Sequence, residues 1–218
     1  MKCFAPPRSG ANGKANRLIR RVLLAGLLAV GLTAPLQAAE KPADPGPDCR
    51  TAGPSVPHNA RMLAIFEADQ ADRRETGDTD WAAVNRRDLE RLAETEALIA
   101  ANALRTGQDF LHAAFVFQHG KEPRSYLKAH SIALVAMKCG NPNAVWIATA
   151  ALDRYLQAIG QPQVFGTQFR FPDNAPVTQE PYDRTLIADP LRRQLGVPPL
   201  ADQERQRQRY QAEVERGP

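Results

Sequence analysis

The 218-residue sequence has no HExxH helix, no metal-type cysteine spacing, no Walker phosphate loop and no GxSxG elbow. These absences remove the motif-based cases for a zincin, a zinc finger, a P-loop nucleotidase and an elbow-type serine hydrolase. Ser125 and Ser131 stand in no nucleophile pattern. Cysteine is scarce, with three residues, and Cys3 lies in the first segment. Acid is missing altogether from residues 1–21, which carry six basic side chains. No apolar run after residue 36 is long enough to cross a bilayer.

What is present begins with that basic segment. It leads into VLLAGLLAVGLTAPL at 22–36 and then LQAAE, with small residues at 38 and 39. This three-part order predicts a cleavable signal peptide over 1–38, and hence a periplasmic or secreted protein. No cysteine follows the apolar run directly, which argues against lipid attachment. The formal charge of +4 belongs largely to this leader. Without its six basic residues, 22 basic face 24 acidic side chains, a net charge of −2. Charge then gives no reason to expect nucleic acid or membrane insertion. An unknown protein or small-molecule partner is expected, with no cofactor or metal assigned. Cys49 and Cys139 are left as an even pair, either a disulfide or two thiols.

Residues 39–57 hold five prolines and read as a flexible arm. A single helical domain is expected over 58–218. The first helix starts near Asn59 and ends before ETGDTD at 75–80. A longer one starts near Asp80, with Leu89, Leu92, Ile99 and Ala103 as its apolar side. Three segments of near-equal length follow from Thr106, closed by Gly120, Gly140 and Gly160 as left-handed stops. Pro123 and Asn141-Pro142 mark the starts of the second and third. Val145, Ala148, Leu152, Tyr155 and Ile159 supply a buried stripe on the third, with Thr149, Asp153 and Gln157 as a water-facing strip opposite. Connections this short predict an all-α antiparallel bundle of helical hairpins. Val164–Phe171 and Val177–Tyr182 suggest a short β-hairpin, and helical pieces at 188–195 and 200–215 close the chain.

Antiparallel pairing brings His112, His130 and Asp153 to one level, the arrangement of a metal site or an oriented base. His112 and His119 share a helix face, but about 10.5 Å of rise separates them, too far for one ion. The glycine in VFGTQF suggests a bulge or a close backbone approach.

AAFVFQHG at 113–120, LDRYLQAIGQPQVFGTQF at 152–169 and LRRQLGVPPLADQ at 191–203 resemble a bacterial family known only as a domain of unknown function. DQADR at 69–73 and DWAAVNRRD at 80–88 resemble its N-terminal motifs, so the likeness spans about residues 60–205. Its most specific part is the Asp153-Arg154 pair followed by Gly160, Pro162, Gln163, Phe165, Gly166, Thr167 and Gln168. The resemblance points to positions and not to a reaction. It favours His119, Asp153, Arg154 and Gln168 over His112 and His130. Two functions are open. The first is a binding or scaffold module. The second is a small hydrolase with His119 as acid/base and Asp153 as its orienting carboxylate. There Gln118, Arg154, Gly166, Thr167 and Gln168 would contact the ligand.

Overall fold

The computed structural model describes residues 49, 56–74 and 79–217. The expected signal peptide and most of the expected arm lie outside the described residues. Seven helices are described: α1 Ala60–Ala71, α2 Trp81–Ala100, α3 Gly107–Phe117, α4 Pro123–Lys138, α5 Ala144–Ala158, α6 Asp189–Gln194 and α7 Leu200–Arg216. The chain is all-α among these residues, and none of its helices is long and apolar enough to cross a membrane.

The helix starts follow local chemistry. Asn59 and Asp80 cap α1 and α2 through their side chains, and Thr106 with Asp109 forms a capping box on α3. Pro123 opens α4. The start of α5 is later than expected: Asn141 turns the chain by accepting from Asn143 N–H, and the helix begins at Ala144. Gly140 and Gly160 take the left-handed conformation, at φ 84° and 73°. Asn141 N–H then reaches Ala136 O, and Gln161 N–H reaches Leu156 O, closing both helix ends. Gly120 is not left-handed. It is glycine for space, because a Cβ there would meet Ser125 Cβ at 2.4 Å.

α3, α4 and α5 pack in sequence, with α1 against α3 and α2 against both. Their shared core is rich in alanine: Ala113, Ala114, Ala129, Ala133, Ala136, Ala144 and Ala151 are each fully buried. Small side chains let neighbouring helices approach closely, and Met62, Val116, Phe117 and Ile147 fill what remains.

Two expected faces hold only in part: Leu92 and Ile99 of α2 pack against the core and Ala148 of α5 is buried, but the most buried residues are others. On α2 the inward residues are Val84, Asp88, Arg91 and Thr95, while Leu89 is 62% exposed. On α5 the buried face runs through Ala144, Ile147, Ala148 and Ala151, while Ile159 is exposed. Thr149 and Asp153, expected to face water, are buried. Apolar periodicity cannot see a buried face made of ion pairs or hydrogen-bonded acids.

After α5 the expected hairpin shrinks to one antiparallel bridge. Arg170 and Thr178 exchange two backbone hydrogen bonds at 2.7 and 3.1 Å. A single parallel bridge joins Gln163 to Tyr182, and no strand forms among the described residues. The reason is donor supply: the N–H groups of Val164, Phe165, Thr167 and Gln168 are taken by side chains. The closing pieces fall where expected, as α6 and α7. Phe169 and Phe171 hold α7 through Tyr210, at ring separations of 5.1 and 5.5 Å.

Cys49 and Cys139 form a disulfide, with Cα atoms 5.5 Å apart and a sequence separation of 90. It ties the residue at the edge of the arm to the C-terminal end of α4. Closing so long a loop stabilises the fold by about 4 kcal/mol through the unfolded chain. The double replacement C49A/C139A is expected to lower the urea midpoint accordingly. An unchanged midpoint would mean that this tether does not restrain the unfolded chain.

Candidate functional site

Asp153 sits on α5 with no exposure at all. A carboxylate out of water needs donors from the protein. It finds four in the following loop. Oδ1 accepts from Val164 N–H at 2.8 Å and Phe165 N–H at 3.0 Å. Oδ2 accepts from Thr167 N–H at 2.9 Å and the Thr167 hydroxyl at 2.8 Å. Burial pushes its pKa up, and the four bonds oppose that shift. Asp153 is therefore the anchor of the loop, and both carboxylate oxygens are fully engaged.

The glutamines repeat this logic. Gln163 donates to Gln168 O at 3.0 Å and to Gln179 O, and accepts from Gln168 N–H at 3.1 Å. Gln203 of α7 donates to Phe165 O at 2.7 Å and Pro198 O at 3.0 Å. Its Oε1 accepts from the Tyr182 hydroxyl at 2.9 Å. Arg192 of α6 is wholly buried and donates to Phe165 O at 2.8 Å. Gly166 lies at the centre with φ 72°. A Cβ there would stand 2.4 Å from Gln203 Oε1 and 2.5 Å from the Tyr182 ring. The close approach expected of this glycine is thus to the protein's own Gln203 and Tyr182.

Arg154 links this loop to α3. Nε and a terminal nitrogen donate to Gln168 Oε1 at 3.3 and 3.2 Å, and the other terminal nitrogen donates to Gln118 O at 2.9 Å. Its guanidinium lies 5.7 Å from the centre of the Tyr126 ring. Gln168 is buried and also donates to Ala150 O at 3.3 Å and to Thr167 Oγ1 at 3.0 Å. Arg154 therefore connects Gln118 to Gln168 and, through it, to Thr167, while Gly166 faces Gln203 and Tyr182.

His119 is not paired with Asp153. Its carboxylate is Asp69 of α1: His119 Nδ1 lies 2.9 Å from Asp69 Oδ1. A carboxylate only accepts, so Nδ1 carries the proton and Nε2 the lone pair. The nearest polar partner of Nε2 is the Gln118 amide nitrogen, at 3.5 Å. Asp69 is fully buried and further held by Arg73 at 2.9 Å and Gln70 at 2.8 Å. Arg73 continues to Asp88, Asp88 to Arg91, and Arg91 to Asp72, which also pairs with Arg87. This ion-pair chain supplies Asp88 and Arg91 of the inward face of α2. It was missed because apolar periodicity takes no account of charged residues on a helix face.

The proposed histidine layer does not form. His112 turns to α1, stacked on Phe66 at 4.1 Å, with Nε2 2.6 Å from the Gln108 amide. His130 turns to α5 and donates from Nδ1 to Ala148 O at 2.9 Å. No group of three metal-type side chains occurs among the described residues. A cavity of about 320 Å³ lies elsewhere, at the disulfide, lined by Cys49, His58, Arg105, Gln108 and Cys139 among others. None of the Asp153 loop residues, nor His119, lines it. No family profile, curated protein or solved structure matches the chain. The resemblance to the bacterial family rests on the motif residues alone.

Three outcomes follow from this geometry. Gly166→Ala is expected to cost about 2 kcal/mol or more, since it combines left-handed strain with overpacking. Asp153→Asn is expected to cost about 3 kcal/mol, because it removes an acceptor and sets an amide N–H against backbone donors. Denaturant midpoints that stay at the wild-type value would contradict the anchoring role. The third concerns pH. Burial holds His119 below its ordinary 6.5, with Arg73 and Arg154 acting in the same direction and Asp69 opposing. Its folded pKa is below the unfolded one, so the unfolded chain takes the proton first. Stability is therefore complete above about pH 6.5 and falls as pH drops toward the folded-state value. His112 shifts the same way through burial. The denaturation midpoint should fall on acidification from about pH 7.5 to about 5.5. That fall should be smaller in H119Q, and an equal fall in both proteins would remove His119 as a cause.

Proposed function

We propose that this chain is an exported, non-enzymatic binding or scaffold domain. One observation carries the reading: the polar residues of the Asp153 loop are spent on backbone and on one another. Asp153, Thr167, Gln163 and Gln168 brace α5 to the C-terminal segment and leave little polarity free for a ligand. A hydrolase built on His119, Asp153, Arg154 and Gln168 loses two of its four members to that brace. The leader-like N-terminus and the Cys49–Cys139 disulfide support export to the periplasm or beyond the cell.

The outer face of α4 favours a protein partner over a small molecule. Leu127, Ser131, Leu134 and Val135 share one side at helical spacing, and the three apolar ones are 40%, 46% and 37% exposed. Apolar side chains grouped on the exposed side of a helix are a mark of a contact surface. The double replacement L127E/L134E is expected to abolish cross-linking to partners in the exported fraction, with the melting temperature unchanged. Unchanged cross-linking in this folded variant would defeat the reading for α4.

A further inference from the structure

We propose that the cavity at the Cys49–Cys139 disulfide binds a small organic monocarboxylate, anchored by the Arg105 guanidinium. None of the apolar residues of the α4 face lines this cavity, so the inference does not rest on that reading. At about 320 Å³ the cavity stands at the small end of ligand pockets, which run from about 300 to 1,000 Å³. Three stretches of chain wall it: Val56 and His58 ahead of α1, residues 105–108 at the start of α3, and residues 139–142 between α4 and α5.

The walls are fixed before any ligand arrives. The disulfide joins Cys49 to Cys139. His58 Nδ1 lies 2.8 Å from the Thr106 hydroxyl, and the Asn141 amide donates to Gln108 Oε1 at 3.1 Å. A Cβ on Gly107 would meet Asn141 Cβ and Cys139 O at 2.9 Å, so the start of α3 rests directly on the α4–α5 turn. A pocket preformed in this way loses little entropy on binding.

Its polar groups favour an anion. Arg105 is exposed, donates from Nε to Asn102 O at 3.1 Å, and makes no ion pair among the described residues. Its two terminal nitrogens keep their N–H groups in the fork that pairs with both oxygens of a carboxylate. The Gln108 amide nitrogen meets His112 Nε2 at 2.6 Å and that of Asn141 meets Gln108 Oε1, which leaves each a second N–H. Gly107 and Gln108 also open α3, the positive end of its dipole. One carboxylate stands near. Asp109, fully buried, accepts from the N–H groups of Asn59, Arg105 and Thr106. It offsets part of the positive field, so a singly charged ligand is matched and a phosphate dianion is not. Val56, Pro142 and the disulfide offer apolar wall to the body of the ligand.

The test is isothermal titration of the oxidised full chain with N-acetylalanine, with N-acetylalaninamide and inorganic phosphate as comparison ligands. The acid is expected to bind saturably, and the amide at least about tenfold more weakly, since it lacks the charged acceptor. R105Q is expected to weaken binding of the acid about tenfold. Its melting temperature should stay at the wild-type value, because Arg105 is exposed. R105K, which keeps the charge without the fork, should recover only part of the affinity. R124Q, at an exposed arginine that does not line the cavity, should change nothing. The carboxyl end of a peptide carries the same group, so acetyl-Ala-Ala is titrated beside the shorter acid. Tighter binding of the longer acid assigns the site to a chain end and weaker binding to a free acid, each in support of a carboxylate site. No saturable binding, equal affinity in wild type and R105Q, or phosphate bound as tightly as the acid would overturn the proposal.

Discussion

One buried negative charge organises the C-terminal half of this protein. Asp153 lies where water cannot reach it, so its carboxylate must be solvated by the chain. The donors it finds are three backbone N–H groups that would otherwise build a strand, and the Thr167 hydroxyl. Residues 164–167 therefore wrap the carboxylate instead of pairing as a strand, and only Gln163 keeps a bridge to Tyr182. Once wrapped, the loop turns its own carbonyls outward, and Gln179, Gln203 and Arg192 exist to satisfy them. Phe165 O alone accepts from both Gln203 and Arg192. In this way α6 and α7, which contribute few buried apolar side chains, are held to the bundle by hydrogen bonds rather than by a conventional core.

The N-terminal half solves the same problem with charges. The α1–α2 pair buries Asp69, Asp88 and Arg91, and the ion-pair chain between them replaces the usual leucine seam. Such a seam contributes little net stability, because desolvation offsets the attraction. It does define which residues must face each other. It also ends on His119 and holds that ring in one tautomer. Arg154 joins the two halves, since it reaches both the carbonyl beside His119 and the Gln168 side chain of the wrapped loop. The apolar centre, built from alanines on α3, α4 and α5, sits between them and sets how closely these elements approach.

The candidate site was legible in part. The motif pointed to Gln118, Arg154, Gly166, Thr167 and Gln168 as positions, without saying what each of them contacts. The partner of His119 could not be read at all. Asp69 lies 50 residues away, on a helix whose orientation the chain alone does not announce. Asp153 looked like an orienting carboxylate because its level in the bundle was right. Its direction was set by the loop that follows it. The apolar faces of α2 and α5 were right only in part for a related reason: periodicity counts leucines, and these helices also bury acids, arginine, threonine and alanine.

What the linear chain determined is local. Helix starts at Asn59, Asp80, Thr106 and Pro123, and the glycine ends at 140 and 160, follow from caps and backbone freedom that need no distant neighbour. The short connections dictated antiparallel neighbours. What the tertiary structure decided is the fate of each buried polar group. The cost of leaving such a group unpaired is large, and the partner that removes it is chosen by proximity in space, not in sequence. That choice made Asp153 an anchor and Asp69 the companion of His119.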